Sequence, residues 1–92
     1  MKITDIKVIT VEDDDRLKAF VTVEFEKYLV IRDFKVIRGE RGNFVAMPSK
    51  RMKDGSFKDL VYAANPDARK YIEESVLEEY EAVLGGGHSH VA

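Results

Sequence analysis

Phe44-Val45-Ala46-Met47-Pro48-Ser49-Lys50-Arg51 is the stretch that decides the fold, because an apolar run and a charged run meet there at one proline. Phe44 to Met47 suits a short buried strand. Pro48 has no N–H for a ladder and biases Met47 toward an extended conformation, so pairing is expected to end there. Beyond it, Ser49-Lys50-Arg51-Met52-Lys53-Asp54-Gly55-Ser56 carries three cations and an Asp-Gly turn signal before apolar residues return at Phe57. The expectation is a strand that releases its chain into a basic loop.

Upstream, Tyr28 to Arg38 is the longest β-like run, and its alternation slips at Arg32-Asp33. Leu29 and Ile31 share one parity, Phe34 and Val36 the other, so one face holds all four only if a bulge or bend falls between them. Gly39-Glu40-Arg41-Gly42 is the next turn, and Asn43 to Met47 returns as a hairpin. Leu17 to Glu26 alternates well, with Leu17, Ala19, Val21, Val23 and Phe25 on one side and Lys18, Phe20, Thr22, Glu24 and Glu26 on the other. That is the pattern of a half-buried antiparallel strand. Ile3 to Val11 is a strand by β-branched content, with Ile6 and Val8 on one face and Asp5, Lys7 and Ile9 on the other. Glu12-Asp13-Asp14-Asp15-Arg16 joins the two. Clustered aspartates suit a solvated hairpin tip; as a cation site they offer oxygen ligands but lack the spacing and glycine of a calcium loop.

Downstream, Phe57 to Ala63 reads as a fifth extended segment at a sheet edge. From Asn65 the period changes: Asn65 suits an N-cap, Pro66 the first helical position and Asp67 the positive end of the helix dipole. Ala68, Ile72, Val76, Tyr80 and Val83 recur at three or four, and Gly85 is placed to end the helix. Glu73, Glu74, Glu78, Glu79 and Glu81 form its acidic outer side, either a solvated face or a partner-binding one. Residues 85–92 read as a flexible tail, in which His88 and His90 make a poor metal site. The fold class is therefore α+β: a small antiparallel sheet of four to five strands with one C-terminal helix packed on it, forming a single domain over residues 1–84.

A 92-residue chain with 45% apolar residues buries one modest core, roughly 60–65% of its unfolded surface, so dimerisation is a natural source of extra stability. There is no cysteine, which excludes a disulfide scaffold and a cysteine metal site. No apolar run approaches a membrane span, and the first residues lack the apolar core of a signal peptide, so a soluble, cytoplasmic protein is expected. The only histidines are those of the tail, and no Gly-rich phosphate motif is present. No catalytic constellation emerges, and neither an enzyme, a cofactor, a metal nor a small-molecule substrate is expected.

The net charge of −2 argues at first against a polyanionic partner, but its distribution is uneven. Lys/Arg against Asp/Glu number five and seven in residues 1–30, eight and four in 31–60, and two and six in 61–92, giving −2, +4 and −4. The middle third is basic. Lys50, Arg51 and Lys53 sit on a turn that a rigid sheet would hold out in solvent, as phosphate contacts are commonly presented. Lys58, with Arg38 and Arg41 on the neighbouring hairpin end, is expected to extend the patch. Phe44 and Phe57 are expected to pack in the core; otherwise each offers a face for a base to stack on. Ordinary solvated turn chemistry accounts for the same residues.

The whole-chain pattern resembles the SpoVG family, small bacterial regulators of septation and sporulation. The resemblance is carried by Met1-Lys2-Ile3-Thr4-Asp5-Ile6, Lys35-Val36-Ile37-Arg38-Gly39, Phe44 to Arg51, Asp54-Gly55-Ser56-Phe57-Lys58-Asp59, and Val76-Leu77 followed by Tyr80, from Met1 to about Leu84. It implies a homodimer that binds DNA or RNA, with Ser49, Lys50, Arg51 and Lys58 on matching motif positions. One departure stands out: Ala63-Ala64-Asn65-Pro66 replaces the family's usual His-Pro, so any contact made through that histidine is missing here. The chain is accordingly expected to be a non-catalytic nucleic-acid-binding regulator, or alternatively a protein-interaction module working through the sheet edge or the acidic helix face.

Overall fold

The computed structural model describes residues 1–86, which form β1 (Ile3–Thr10), β2 (Leu17–Phe25), β3 (Leu29–Gly39), β4 (Gly42–Ala46), β5 (Ser49–Arg51), β6 (Phe57–Asp59) and α1 (Pro66–Leu84). Residues 87–92, which include His88 and His90, lie outside the described residues. The alternation of β2 sets the sheet. Ala19, Val21, Val23 and Phe25 are buried, and with Val8, Phe34, Val36 and Val45 they form the sheet side of the core. The four strands pair antiparallel in the order β1-β2-β3-β4, each beside its neighbour in sequence.

Three register irregularities let an imperfect pattern work. Val21 faces Phe34 while Val23 faces Ile31, so Arg32 and Asp33 share the space opposite Thr22, and Asp33 takes a φ of 70°. Aspartate tolerates that left-handed conformation better than most residues. The bulge expected at Arg32-Asp33 is thus present, and it brings Ile31 and Phe34 to one face. A second irregularity between Ile3 and Asp5 sets Ile3 opposite Phe25, so that Ile3 joins Ile6 against the core. The third, between Leu17 and Ala19, pairs Leu17 with Ile37. Leu17 therefore leaves the face of Ala19, where simple alternation would put it.

Asn65 Oδ1 accepts from the Ala68 N–H at 2.8 Å, and Pro66 opens α1, as the capping pattern predicts. The helix packs across β1 and β4 and contributes Val76 and Tyr80 to the core, with Ile72, Leu77 and Val83 against it. Burial raises the Tyr80 phenol above its ordinary pKa. The Gly85 N–H returns to the Glu81 carbonyl at 3.0 Å, but the left-handed residue after the helix is Gly86, with φ 88°. Glu74, Glu78 and Glu81 are exposed as expected; Glu73 is not part of that outer face. Its carboxylate accepts from the Val45 N–H at 3.1 Å, and Arg69 donates to the Val45 carbonyl at 2.8 Å. An edge strand offers unpaired backbone groups, and this helix pair satisfies both of those on Val45.

The segment after Pro48 departs most from expectation. Ser49 to Arg51 is strand rather than loop, and it pairs with Phe57–Asp59 in a separate two-stranded sheet. The fifth extended segment is therefore shorter than Phe57 to Ala63 and lies beside β5 instead of at the edge of the main sheet. Pro48 explains the break: it cannot continue the β3 ladder, and its carbonyl instead receives Leu60 N–H at 2.8 Å, closing the base of the hairpin. The helix α1 is not apolar enough to cross a membrane.

Candidate nucleic-acid interface

In the β5–β6 hairpin Ser49 faces Asp59, Lys50 faces Lys58 and Arg51 faces Phe57. Side chains alternate along a strand, so Lys50 and Lys58 share one face, while Arg51 and Ser49 take the other. Directly opposed Cβ atoms stand about 4.5–5.5 Å apart, which brings two ammonium groups within reach of one anion. Lys50, Arg51, Lys53 and Lys58 are all exposed. Among the described residues no carboxylate lies in ion-pair range of any of them. Lys50 to Asp54 also line a concavity of about 470 Å³. Phe57 is exposed and Phe44 is partly so, which corrects the expectation that both pack in the core.

The turn that joins the strands is closed by its own side chains. Met52 N–H donates to the Ser56 carbonyl at 2.7 Å, Gly55 N–H to the Met52 carbonyl at 3.0 Å, and Gly55 takes φ 91°. Asp54 Oδ1 accepts from the Ser56 hydroxyl at 2.6 Å and from the Ser56 N–H at 2.9 Å. These two bonds, the hydroxyl's first, hold the Asp54 carboxyl below its ordinary pKa of 3.8. A depressed carboxylate contributes stability above its ordinary pKa and loses it as pH falls through the depressed value. The Ser56 amide resonance is therefore expected to move on acidification below about pH 4, while that of Val21 in the sheet centre holds. A Ser56 amide that stays put until the whole sheet unfolds would remove Asp54 as the turn's organiser.

Arg38 and Arg41 stand elsewhere. They lie at the β3–β4 turn, and β4 separates them from β5. Arg38 and Arg41 line a concavity apart from that of Lys50, Arg51 and Lys53, with up to about 26 Å of extended chain from Arg41 to Ser49 at about 3.3 Å per residue. What joins them instead is Arg16. The Arg38 N–H donates to the Arg16 carbonyl at 2.8 Å, extending the β2–β3 ladder. Arg16, Arg38 and Arg41 line a concavity of about 880 Å³ with Asp15, Glu40 and Phe44. Among the described residues none of the three guanidinium groups has an ion-pair partner. In sequence Arg16 merely follows an acidic run; only the ladder register, set across the β2–β3 hairpin, brings it to Arg38.

The acidic run itself is a turn device. Asp14 Oδ1 accepts from the N–H groups of Leu17 and Arg16, each at 2.8 Å, and those two bonds hold its carboxyl below its ordinary pKa. Among the described residues, no three acids or histidines converge where they could hold a metal ion.

The family model for SpoVG matches residues 1–82. Relatives that carry the name of septation protein SpoVG include the following three. That of Acholeplasma laidlawii is 49% identical over 84 residues, covering 91% of this chain and 89% of the relative. The protein of Myxococcus xanthus is also 49% identical over 84 residues, covering 91% and 84%. The one from Caldanaerobacter subterraneus subsp. tengcongensis is 46% identical over 81 residues, covering 88% and 89%. With a family match across nearly all of the described residues and identities of this size, the chain belongs to the SpoVG family.

Proposed function

We propose that this protein binds nucleic acid, DNA or RNA, as a homodimer, holding phosphates on the cations of the β5–β6 hairpin, and acts without catalysis as a regulator in septation or gene expression. The observation that carries this reading is Lys50 set opposite Lys58. Like charges directly opposed weaken a sheet pair, and an anion seated between them turns that repulsion into attraction. The septation name borne by the relatives supports the cellular role.

Dimerisation has a candidate surface. Pairing with β4 reaches only from Lys35 to Gly39, so among the described residues β3 has no ladder partner on that side from Leu29 to Phe34. Tyr28, Leu29 and Val30 are exposed there. A second copy laid antiparallel along this edge would complete the ladder and bring two hairpins into one particle. With Lys50 and Lys58 sharing one phosphate and Arg51 and Lys53 taking one each, two copies engage about six phosphates in all, for an expected slope of about −5 in log affinity against log salt for duplex. Alternatively the same edge, or the exposed Glu74 and Glu78, receives another protein, in which case charge reversal at those glutamates matters more than loss of Lys50 and Arg51.

The test is a titration of fluorescent single-stranded RNA and of a short DNA duplex at several salt concentrations, with the Lys50→Ala/Arg51→Ala/Lys53→Ala variant alongside. Micromolar or tighter binding with a steep salt slope is expected, flattened in the variant by about one unit for each phosphate contact removed. Folded protein that binds neither ligand at low salt would sink the proposal.

A further inference from the structure

The helix covers one face of the four-stranded sheet, and among the described residues the other is left bare. On that bare face the register aligns Ile9, Phe20, Lys35 and Ala46 in one row across all four strands, and Leu17, Ile37 and Phe44 in the next. Ile9 is 61% exposed, Phe20 38% and Phe44 39%. A sheet face turned to water ordinarily alternates to polar residues; this one presents two aromatic rings and several aliphatic side chains. Cations frame them. The Lys35 ammonium stands 6.0 Å from the centre of the Phe20 ring, at the outer limit of a cation–π contact, and Lys7 follows along β1. At the sheet end, Arg16, Arg38 and Arg41 line the concavity that Phe44 borders. Of the acids of this face, Asp5 and Glu24 oppose each other at its far end and Asp33 stands beside Arg32 opposite Thr22; Asp15 and Glu40 share the concavity with the arginines.

From this arrangement we infer that the bare sheet face is a stacking platform for single-stranded nucleic acid, with Phe20 and Phe44 each receiving one base and Lys35, Arg16, Arg38 and Arg41 receiving the phosphates. The inference rests on the nucleic-acid reading above and names the class of strand. Base faces are open to aromatic rings only in a single strand, because a duplex hides them in its stack. Two strand spacings and one row separate the rings by about 12 Å. That is well beyond the ~3.4 Å rise between neighbouring bases of a stacked strand, so the bases taken are splayed apart. A second copy of the chain fits the face less well. A two-fold contact would set its lysines and arginines against one another and strip their water, whereas a polyanion neutralises them.

The experiment compares wild type with Phe20→Leu and Phe44→Leu for binding to a short fluorescent oligothymidylate and to a duplex of equal length, at two salt concentrations. Both side chains are partly exposed and leucine keeps most of the bulk, so thermal melting should confirm that the variants fold. Each variant is expected to weaken single-strand binding roughly 5- to 100-fold, to change duplex binding less than twofold, and to leave the salt slope alone, since no phosphate contact is removed. The triple hairpin variant, in contrast, lowers the slope for both ligands. Variants that bind the single strand as wild type does would overturn the platform while leaving the hairpin reading intact. Wild type that binds neither ligand overturns both, and wild type that binds duplex alone overturns the platform. A shift from dimer to monomer in sedimentation of Phe20→Leu or Phe44→Leu would instead make this face the contact between copies.

Discussion

Phe34→Ala is expected to remove about 3–5 kcal/mol of folding stability, the range for losing a fully buried phenylalanine. Phe34 has no exposed surface, faces Val21 across β2, and sits immediately after the bulge that turns it inward. It also borders an apolar cavity of about 350 Å³, with Ile31, Met47, Ala68 and Ile72 among its other walls. Truncation would enlarge that cavity, so the site has little chance to collapse around the smaller side chain. Domains of this size hold roughly 5–15 kcal/mol in all, which leaves the variant near the threshold of folding. Urea denaturation checks this: the midpoint should fall with the slope unchanged. A loss below about 1 kcal/mol, the scale of an ordinary point mutant, would mean that Phe34 is not the centre of the core.

Glu73→Ala has the next largest expected effect, about 1–3 kcal/mol, because it leaves a part-buried backbone donor without an acceptor. The Val45 N–H points from β4 to the Glu73 carboxylate at 3.1 Å, whereas the Glu73–Arg69 ion pair is looser, at 3.9 Å, and 42% exposed on the arginine side. An ion pair so exposed contributes at most about 1 kcal/mol, so the hydrogen bond to the strand is the larger part. Glu73→Gln separates the two, since it keeps a carbonyl acceptor and loses the charge. It should retain most of the stability and most of the protection of the Val45 amide in hydrogen exchange. Equal loss in both variants would assign the effect to charge instead.

The elements that could be read from sequence are those whose signals are local. The alternation of Ala19, Val21, Val23 and Phe25, the parity slip at Arg32-Asp33, and the Asn65-Pro66 cap each depend on residues within a few positions, and each stands where expected. What could not be read depends on partners distant in sequence. Pro48 announces the end of one ladder and says nothing of the next; that Lys50 meets Lys58 follows from the closed turn at Met52 to Ser56. Glu73 looks like one more acid on an acidic helix until Val45, 28 positions away, supplies its donor. Hydrophobicity alone assigns Phe44 and Phe57 to the core, yet the parity of β4 and the detachment of β6 turn both outward. Closeness in sequence groups Arg38 and Arg41 with the hairpin, whereas they line a concavity of their own with Arg16.

The order β1-β2-β3-β4 repeats the order of synthesis, so each strand meets its partner as soon as it has left the ribosome. Such sequential pairing closes short loops and favours early formation of the sheet. Its cover arrives last: 38 positions separate Ala46, the end of β4, from Leu84, the end of α1, or about 2–8 s at ordinary rates of translation. A sheet that pairs during that interval has its apolar side and its Val45 edge unshielded. The nascent chain is then most open to capture by a holding chaperone, and the arrival of Arg69 and Glu73 closes the interval.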